Sequence, residues 1–392
     1  MDRPHRRSQA VTTAPPITDT AVAIRQSLAR GPLGIALLDI ERAHRGHTSW
    51  QDVHRRLATV HPLIDGDDAS LFLGAPAMAY VLHMAAGDSG RYAGALHTLD
   101  GVVAAHTRRR LAAAHARIDQ GRFATFAEYD LFRGLTGLGA LLLRRQPSGI
   151  ETRRVLEYMV RLTEPTTDPA GAQRPGWWVS HSPASNPAAT PGGHANAGIA
   201  HGITGPLALL ALAKRRGITV DGHDAAMMRI CRWLDGLRQS DHHGTRWPRW
   251  ISQTGRAPLV PDTPSWCYGT PGLARAQQLA GIALGDEDRK RMAERALLYC
   301  LANDQQLDLL ANRGLCHGVG GLLRTVQRVA EDAENPNMFM SWLVLAPQRF
   351  LMAEAPQDPS FIEGAAGAAL AFRSAEQGAE SVTDWDACLL LI

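Results

Sequence analysis

The chain has 392 residues, 45% of them hydrophobic and 20% charged, close to the averages of soluble globular proteins, which argues against disorder of the whole. A formal net charge of +3 without a basic stripe argues against a nucleic-acid surface, and no run approaches the roughly 18 apolar residues of a membrane span. Five cysteines scattered over this length do not make the framework of a small secreted domain, so reduced thiols and a cytoplasmic setting are expected.

In chain order, residues 1–20 (MDRPHRRSQAVTTAPPITDT) are basic and rich in Pro and Thr, and no apolar stretch follows the arginine pair. They read as a disordered arm and not as an export signal. Residues 21–392 read as a single domain built from one repeated device. Small residues three apart, followed by apolar ones, open GPLGIALL at Gly31, GAPAMAYVL at Gly74, GLTGLGALLL at Gly134 and GITGPLALLAL at Gly202. The device returns as GTPGLARA at Gly269, GVGGLLRTV at Gly318 and GAAGAALAF at Gly364, seven occurrences separated by 43, 60, 68, 67, 49 and 46 residues. Between them lie amphipathic helical stretches such as WQDVHRRLATV from Trp50, ETRRVLEYMVRL from Glu151, DAAMMRICRWLDGL from Asp224 and DRKRMAERALLYCL from Asp288.

The unit is therefore a polar-faced outer helix, a loop, and a glycine-started apolar inner helix. Glycine in a helix costs about 1 kcal/mol relative to alanine, so the repeated glycines are expected to let neighbouring helices approach closely. Seven such hairpins could stack as an open solenoid or close into a ring. The apolar inner layer favours an all-α toroid of seven inner and about seven outer helices. One long insertion, residues 164–198, reads either as a loop pinned by Trp177 and Trp178 or as a substrate lid.

The repeats also act as a ruler, because residues just before each first glycine should share one end of the ring. Asp130 lies four before Gly134, His201 one before Gly202, Cys267 two before Gly269, and Cys316 with His317 two and one before Gly318. Two cysteines and a histidine suit zinc and leave a fourth tetrahedral position open. On a regular helix Cys316 and His317 would point about 100° apart. In a turn eased by Gly314 and Gly318, both can reach one ion.

His201 is a candidate acid or base. Asp130 reads either as a carboxylate at a helix start or as the acceptor that orients His201. Cys231, Cys300 and Cys388 sit among apolar residues and read as buried structural thiols. His194, in the insertion, and His242 with His243, in a polar turn, read as solvated. Glu363 precedes Gly364 at the same mouth, without a partner identifiable from sequence.

In combination, YDLFRGLTGLG, GIAHGITG, SWCYGTPG, GLCHGVGG and FIEGAAGAALAF resemble the motifs of the LanC lanthipeptide cyclases and their LanC-like relatives, from about residue 30 to the end. The resemblance implies an α/α toroid with Zn2+ held by Cys267, Cys316 and His317, an acid/base at His201 supported by Asp130, and Tyr268 lining the site. It breaks at Thr263, where the family often has an arginine that helps hold the substrate's developing negative charge. Arg256, in the same loop, is the candidate replacement.

The implied reaction is attack of a zinc-activated peptide cysteine thiolate on dehydroalanine or dehydrobutyrine in the same dehydrated, leader-bearing precursor peptide. Protonation through His201 then completes a lanthionine or methyllanthionine thioether ring. Implied partners are that peptide, a separate dehydratase and an export transporter, in a complex that would hold the protein at the membrane periphery. Two other readings stay open: addition of glutathione to dehydrated residues, and a non-catalytic scaffold that binds leader peptides.

Overall fold

The computed structural model describes residues 20–168, 170–182, 190–241, 244–253, 255–256, 263–374 and 381–392. Residues 1–19 of the expected arm, His242 and His243 lie outside them, as does the side chain of Arg256.

Every glycine-led segment is helical and starts within two residues of its first glycine. The seven inner helices are Pro32–His44, Ala75–Ala86, Leu135–Arg145, Thr204–Arg215, Thr270–Leu284, Val319–Asp332 and Ala365–Arg373. Alternating with them are the outer helices Trp50–Ala58, Ala93–Asp119, Ile150–Leu162, His223–Leu237, Glu287–Leu301 and Asn337–Met352. Helix Ile150–Leu162 shows why the sequence periodicity works: Val155, Leu156, Tyr158, Met159 and Leu162 are buried on one face. Several outer helices start at side-chain caps, with Ser49 and Asp286 accepting the backbone N–H of Asp52 and Arg289. Each inner helix packs against the next, and the seventh returns to the first, so the architecture is a closed α/α toroid.

Closure is visible in one layer of side chains. The residue three before each first glycine, namely Leu28, Leu71, Leu131, Ile199, Trp266, Leu315 and Phe361, is fully buried, with 0% exposure throughout. Backbone hydrogen bonds tie these loops to their neighbours around the ring: Leu28 N to Phe72 O (2.9 Å), Leu131 N to Ala200 O (3.1 Å), Ile199 N to Cys267 O (3.0 Å), Cys267 N to Cys316 O (3.4 Å), Leu315 N to Ile362 O (2.7 Å) and Ile362 N to Ala29 O (3.0 Å).

The glycines serve this belt more than helix–helix contact. A Cβ at Gly272 would lie 3.0 Å from Ile199 Cγ2, and one at Gly367 would lie 2.7 Å from Leu315 Cδ1, each in the loop of the preceding repeat. One at Gly34 would lie 2.5 Å from Phe361 Cβ, across the seam that closes the ring. The helix-to-helix role expected from sequence is met at Gly139, where a Cβ would press on Leu209 and Val155.

After the last inner helix the chain enters the bore. A turn of 3-10 helix at Trp385–Leu389 is fully buried. Trp385 O accepts from Tyr80 Oη (2.8 Å), Leu389 O from Trp266 Nε1 (3.1 Å) and Leu391 O from Arg275 Nε (2.9 Å). Asp386 is buried with Arg324 and Arg328 at 2.8 and 2.7 Å; burial opposes its charge, but the two guanidiniums outweigh that and hold its carboxyl well below the usual range.

The described part of the insertion is anchored. Trp177 and Trp178 are buried, Trp178 Nε1 donates to Gly192 O (3.1 Å), and strand His194–Asn196 pairs antiparallel with Trp250–Ser252. None of its described residues lines the cavity shared by His201 and Cys267. His194 corrects the sequence expectation. It is 0% exposed, packed edge-on against Phe126 at 5.4 Å, because pairing with Ser252, in a strand distant in sequence, draws it inside.

Candidate metal centre and facing histidine

The ruler positions meet at one mouth. Cys267 and Cys316 occupy equivalent places in the turns before consecutive inner helices, and the Cys267 N–H···O=C Cys316 bond sets their backbones side by side. Each turn is braced from within. Ser265 Oγ accepts the N–H of Gly269 (3.1 Å), and Asn312 Oδ1 accepts that of Gly314 (2.8 Å). Residues 49 apart in sequence thus become neighbours.

One ligand atom each from Cys267, Cys316 and His317 falls within 4.8 Å of the others. Cys267 Sγ lies 3.6 Å from His317 Nδ1 and 3.6 Å from Ser265 Oγ. Hydrogen bonds from Cys316, His317 and Ser265 outweigh burial and pull the Cys267 thiol down to about 5. Cys316, as the partner that donates to Cys267 and is itself buried, is pushed far up. His317 is raised through its bond to Cys267, against burial and with help from the Glu363 charge. Two thiols and an imidazole on a braced backbone, with the Cys267 thiol already held low, make a soft donor set that fits zinc.

Glu363, one residue before the seventh first glycine, has a partner after all: its Oε1 lies 3.2 Å from His317 Nε2. Burial raises its carboxyl above the usual range. By contrast Cys231, Cys300 and Cys388 lie buried elsewhere, and burial pushes the first two up to about 11 and about 12.

Across the cavity, His201 Nδ1 lies 2.6 Å from Asp130 Oδ2. Asp130 Oδ1 accepts the backbone N–H of Arg133 (2.6 Å) and Gly134 (2.9 Å), so one fully buried carboxylate braces the helix start and holds the ring at once. Tyr129 Oη donates to His201 O (3.3 Å). The imidazole stacks on Phe132 (centroids 5.2 Å) and leans on Phe126 and Tyr268. Its Nδ1 is occupied, its side chain is 33% exposed, and it lines the cavity, which leaves Nε2 for exchange of a proton.

The cavity, about 660 Å³, is shared by both groups: Asp130, His201, Cys267, Tyr268, Cys316 and His317 all line it. Phe126, Phe132 and Leu309 supply apolar wall, and Arg133 and Arg249 supply positive charge. Thr263 also lines it, six residues before its first glycine, where other repeats carry Asn196, Asn312 and Asp358 as turn residues. Its carbonyl accepts the N–H of Ser265 at 2.7 Å. Arg249, whose guanidinium carbon stands 5.9 Å from the Tyr268 ring centroid, is a cavity cation that sequence reasoning missed. It belongs to no repeat position, and nothing in its local sequence marks it.

Comparison with known proteins adds three findings. A family model described as "Lanthionine synthetase C-like protein" matches residues 23–390. The nisin biosynthesis protein NisC of Lactococcus lactis subsp. lactis is 23% identical over 271 residues, covering 65% of this chain but only 60% of that protein. A solved structure of a nisin cyclase superposes with a TM-score of 0.77 at 20% identity, covering 94% of this chain and 92% of that one, a likeness of fold.

Proposed function

The chain belongs to the lanthionine synthetase C-like family, and from that premise we propose that it closes thioether rings in a dehydrated precursor peptide. Peptide cysteine thiols would add to dehydroalanine or dehydrobutyrine, giving lanthionine or methyllanthionine. The observation that carries this reading is that two groups line one cavity, the Cys267–Cys316–His317 donor set and the His201–Asp130 pair.

Zn2+ held by Cys267, Cys316 and His317 would favour the thiolate form of an incoming thiol at neutral pH, and two thiolate donors would keep that sulfur nucleophilic. The new C–S bond forms at the β-carbon as the C=C π pair shifts to the α-carbon and its carbonyl as an enolate. Arg249 lines the cavity wall beside Tyr268, a cation available to meet that charge where Thr263 supplies none. His201 delivers a proton to the α-carbon from Nε2, while Asp130 fixes Nδ1 as the donor to its own carboxylate. The thiol loses one proton and the α-carbon gains one, so the net reaction is an isomerisation. The apolar wall of Phe126, Phe132 and Leu309 limits water at the enolate.

A separate dehydratase must supply the dehydro residues, and an export transporter would take the product. No helix among the described residues is long and apolar enough to cross a membrane, which fits a cytoplasmic protein that reaches the membrane only through such partners.

The test uses the zinc-loaded protein and a synthetic peptide carrying dehydroalanines and cysteines, with and without glutathione. Ring closure consumes free thiols at constant peptide mass. Gain of one glutathione mass per dehydro site would favour the glutathione reading. Tight peptide binding with neither change would favour the scaffold.

A further inference from the structure

The His317 ring stands between two partners. Its Nδ1 lies 3.6 Å from Cys267 Sγ, on the side of the donor set, and its Nε2 lies 3.2 Å from Glu363 Oε1, on the other. That oxygen is shut off from water and has no aligned hydrogen bond among the described residues, so it is an acceptor in want of an N–H. The ring nitrogen beside it is the group placed to supply one.

The surroundings keep the carboxylate there. Ile362 O accepts the backbone N–H of both Leu315 (2.7 Å) and Cys316 (3.3 Å), which fixes the neighbouring residue, Glu363, against the CysHis turn. A Cβ at Gly314 would lie 2.5 Å from Glu363 Oε2, so the first glycine of GLCHG leaves the space the carboxylate occupies.

We propose that Glu363 is a positioning residue of the metal centre, holding the proton of His317 on Nε2 and its ring in place so that Nδ1 is the nitrogen offered to the metal. The inference rests on the zinc reading above and deepens it. A metal-ligating histidine whose second nitrogen donates to a carboxylate is fixed in tautomer and orientation, and loss of such a partner weakens metal affinity by about 10- to 100-fold. Glu363 itself stays outside the ligand set, leaving the fourth position to the substrate thiol.

The experiment compares zinc affinity of the full chain, Glu363→Ala and Glu363→Gln by competition with a chelating dye, together with the absorption spectra of the cobalt(II)-loaded proteins. Glu363→Ala is expected to bind zinc about 10- to 100-fold more weakly. Glu363→Gln keeps an oxygen acceptor and the side-chain shape, and should lose less than about tenfold while its cobalt spectrum keeps the tetrahedral, two-thiolate pattern of the parent. Equal affinity in Glu363→Ala beside a zinc-binding parent overturns the inference alone. A changed cobalt coordination in Glu363→Gln also overturns it, since that would make the carboxylate a ligand. A parent that binds no zinc overturns the metal reading and this inference with it.

Discussion

Asp130→Asn separates two jobs done by one carboxylate. Oδ1 accepts the N–H of Arg133 at 2.6 Å and of Gly134 at 2.9 Å, while Oδ2 pairs with His201 Nδ1 at 2.6 Å. Asparagine keeps a carbonyl oxygen for the first job and turns the second acceptor into a donor, which inverts the tautomer of His201. Hydrogen bonds to a charged group contribute about 1.5–3 kcal/mol each. Asp130→Ala, which loses all three, should therefore destabilise the fold by about 3 kcal/mol or more, and Asp130→Asn by about half of that or less. The rate of ring closure should fall by about 10²- to 10⁴-fold in both, the usual worth of a positioned acid or base. Denaturant melts read stability and single-turnover thiol loss reads rate, with bound zinc as the control for an intact donor set. An Asn variant that closes rings at the parental rate would reduce Asp130 to a helix-start group, and one as unstable as the Ala variant would refute the division of labour between its oxygens.

Other expectations test the frame and the cavity. His106 and His194 are held down to about 4, chiefly by burial, with Arg110 adding to the effect at His106 and His181 at His194. Both stay neutral in the folded protein while the unfolded chain protonates near about 6.5, so stability should be full above that pH and fall toward pH ~4, by about 1.4 kcal/mol per pH unit for each histidine. Denaturant melts across this range should show the slope, reduced in His194→Phe; a flat profile would contradict it. Asp386→Ala strands Arg324 and Arg328 against a buried void and should cost about 3–5 kcal/mol in the same assay. Arg249→Ala should lower kcat by about 10²-fold with little change in KM, as expected of a group that meets charge developing in the transition state; a change in KM alone would make it a binding residue.

The toroid is legible in the sequence because each repeat must present the same local pattern, a buried apolar residue, a turn and a glycine-started helix, whatever its outer helix looks like. The same periodicity carries Cys267, Cys316, His317, His201 and Asp130 to one mouth, since the turn fixes where side chains just before the glycine emerge. What the ruler does not reveal is which repeats are neighbours across a given gap. Glu363 stands at the same ruler position as His317, yet its contact depends on the placement of the seventh loop beside the sixth, with Ile362 O holding Leu315 and Cys316. His194 escapes for a related reason: its burial follows from pairing with Trp250–Ser252, a contact without periodic trace. The role of the second glycines was half legible. Their smallness called for a close neighbour, but that neighbour is first the carbonyl of the buried residue in the repeat's own loop, as with Trp266 at Gly272, and only then the loop of the adjoining repeat, as with Ile199.

The central claim, thiol addition completed by a proton delivered to carbon at this mouth, is tested most directly by ring closure in D2O. After return to H2O, exchangeable positions revert and a deuteron placed on the α-carbon remains. The account predicts one retained deuteron for each thiol consumed, with His201→Ala slowing thiol loss while zinc stays bound. Thiols that persist in the presence of the zinc-loaded protein, or that disappear without carbon-bound deuterium, would contradict it.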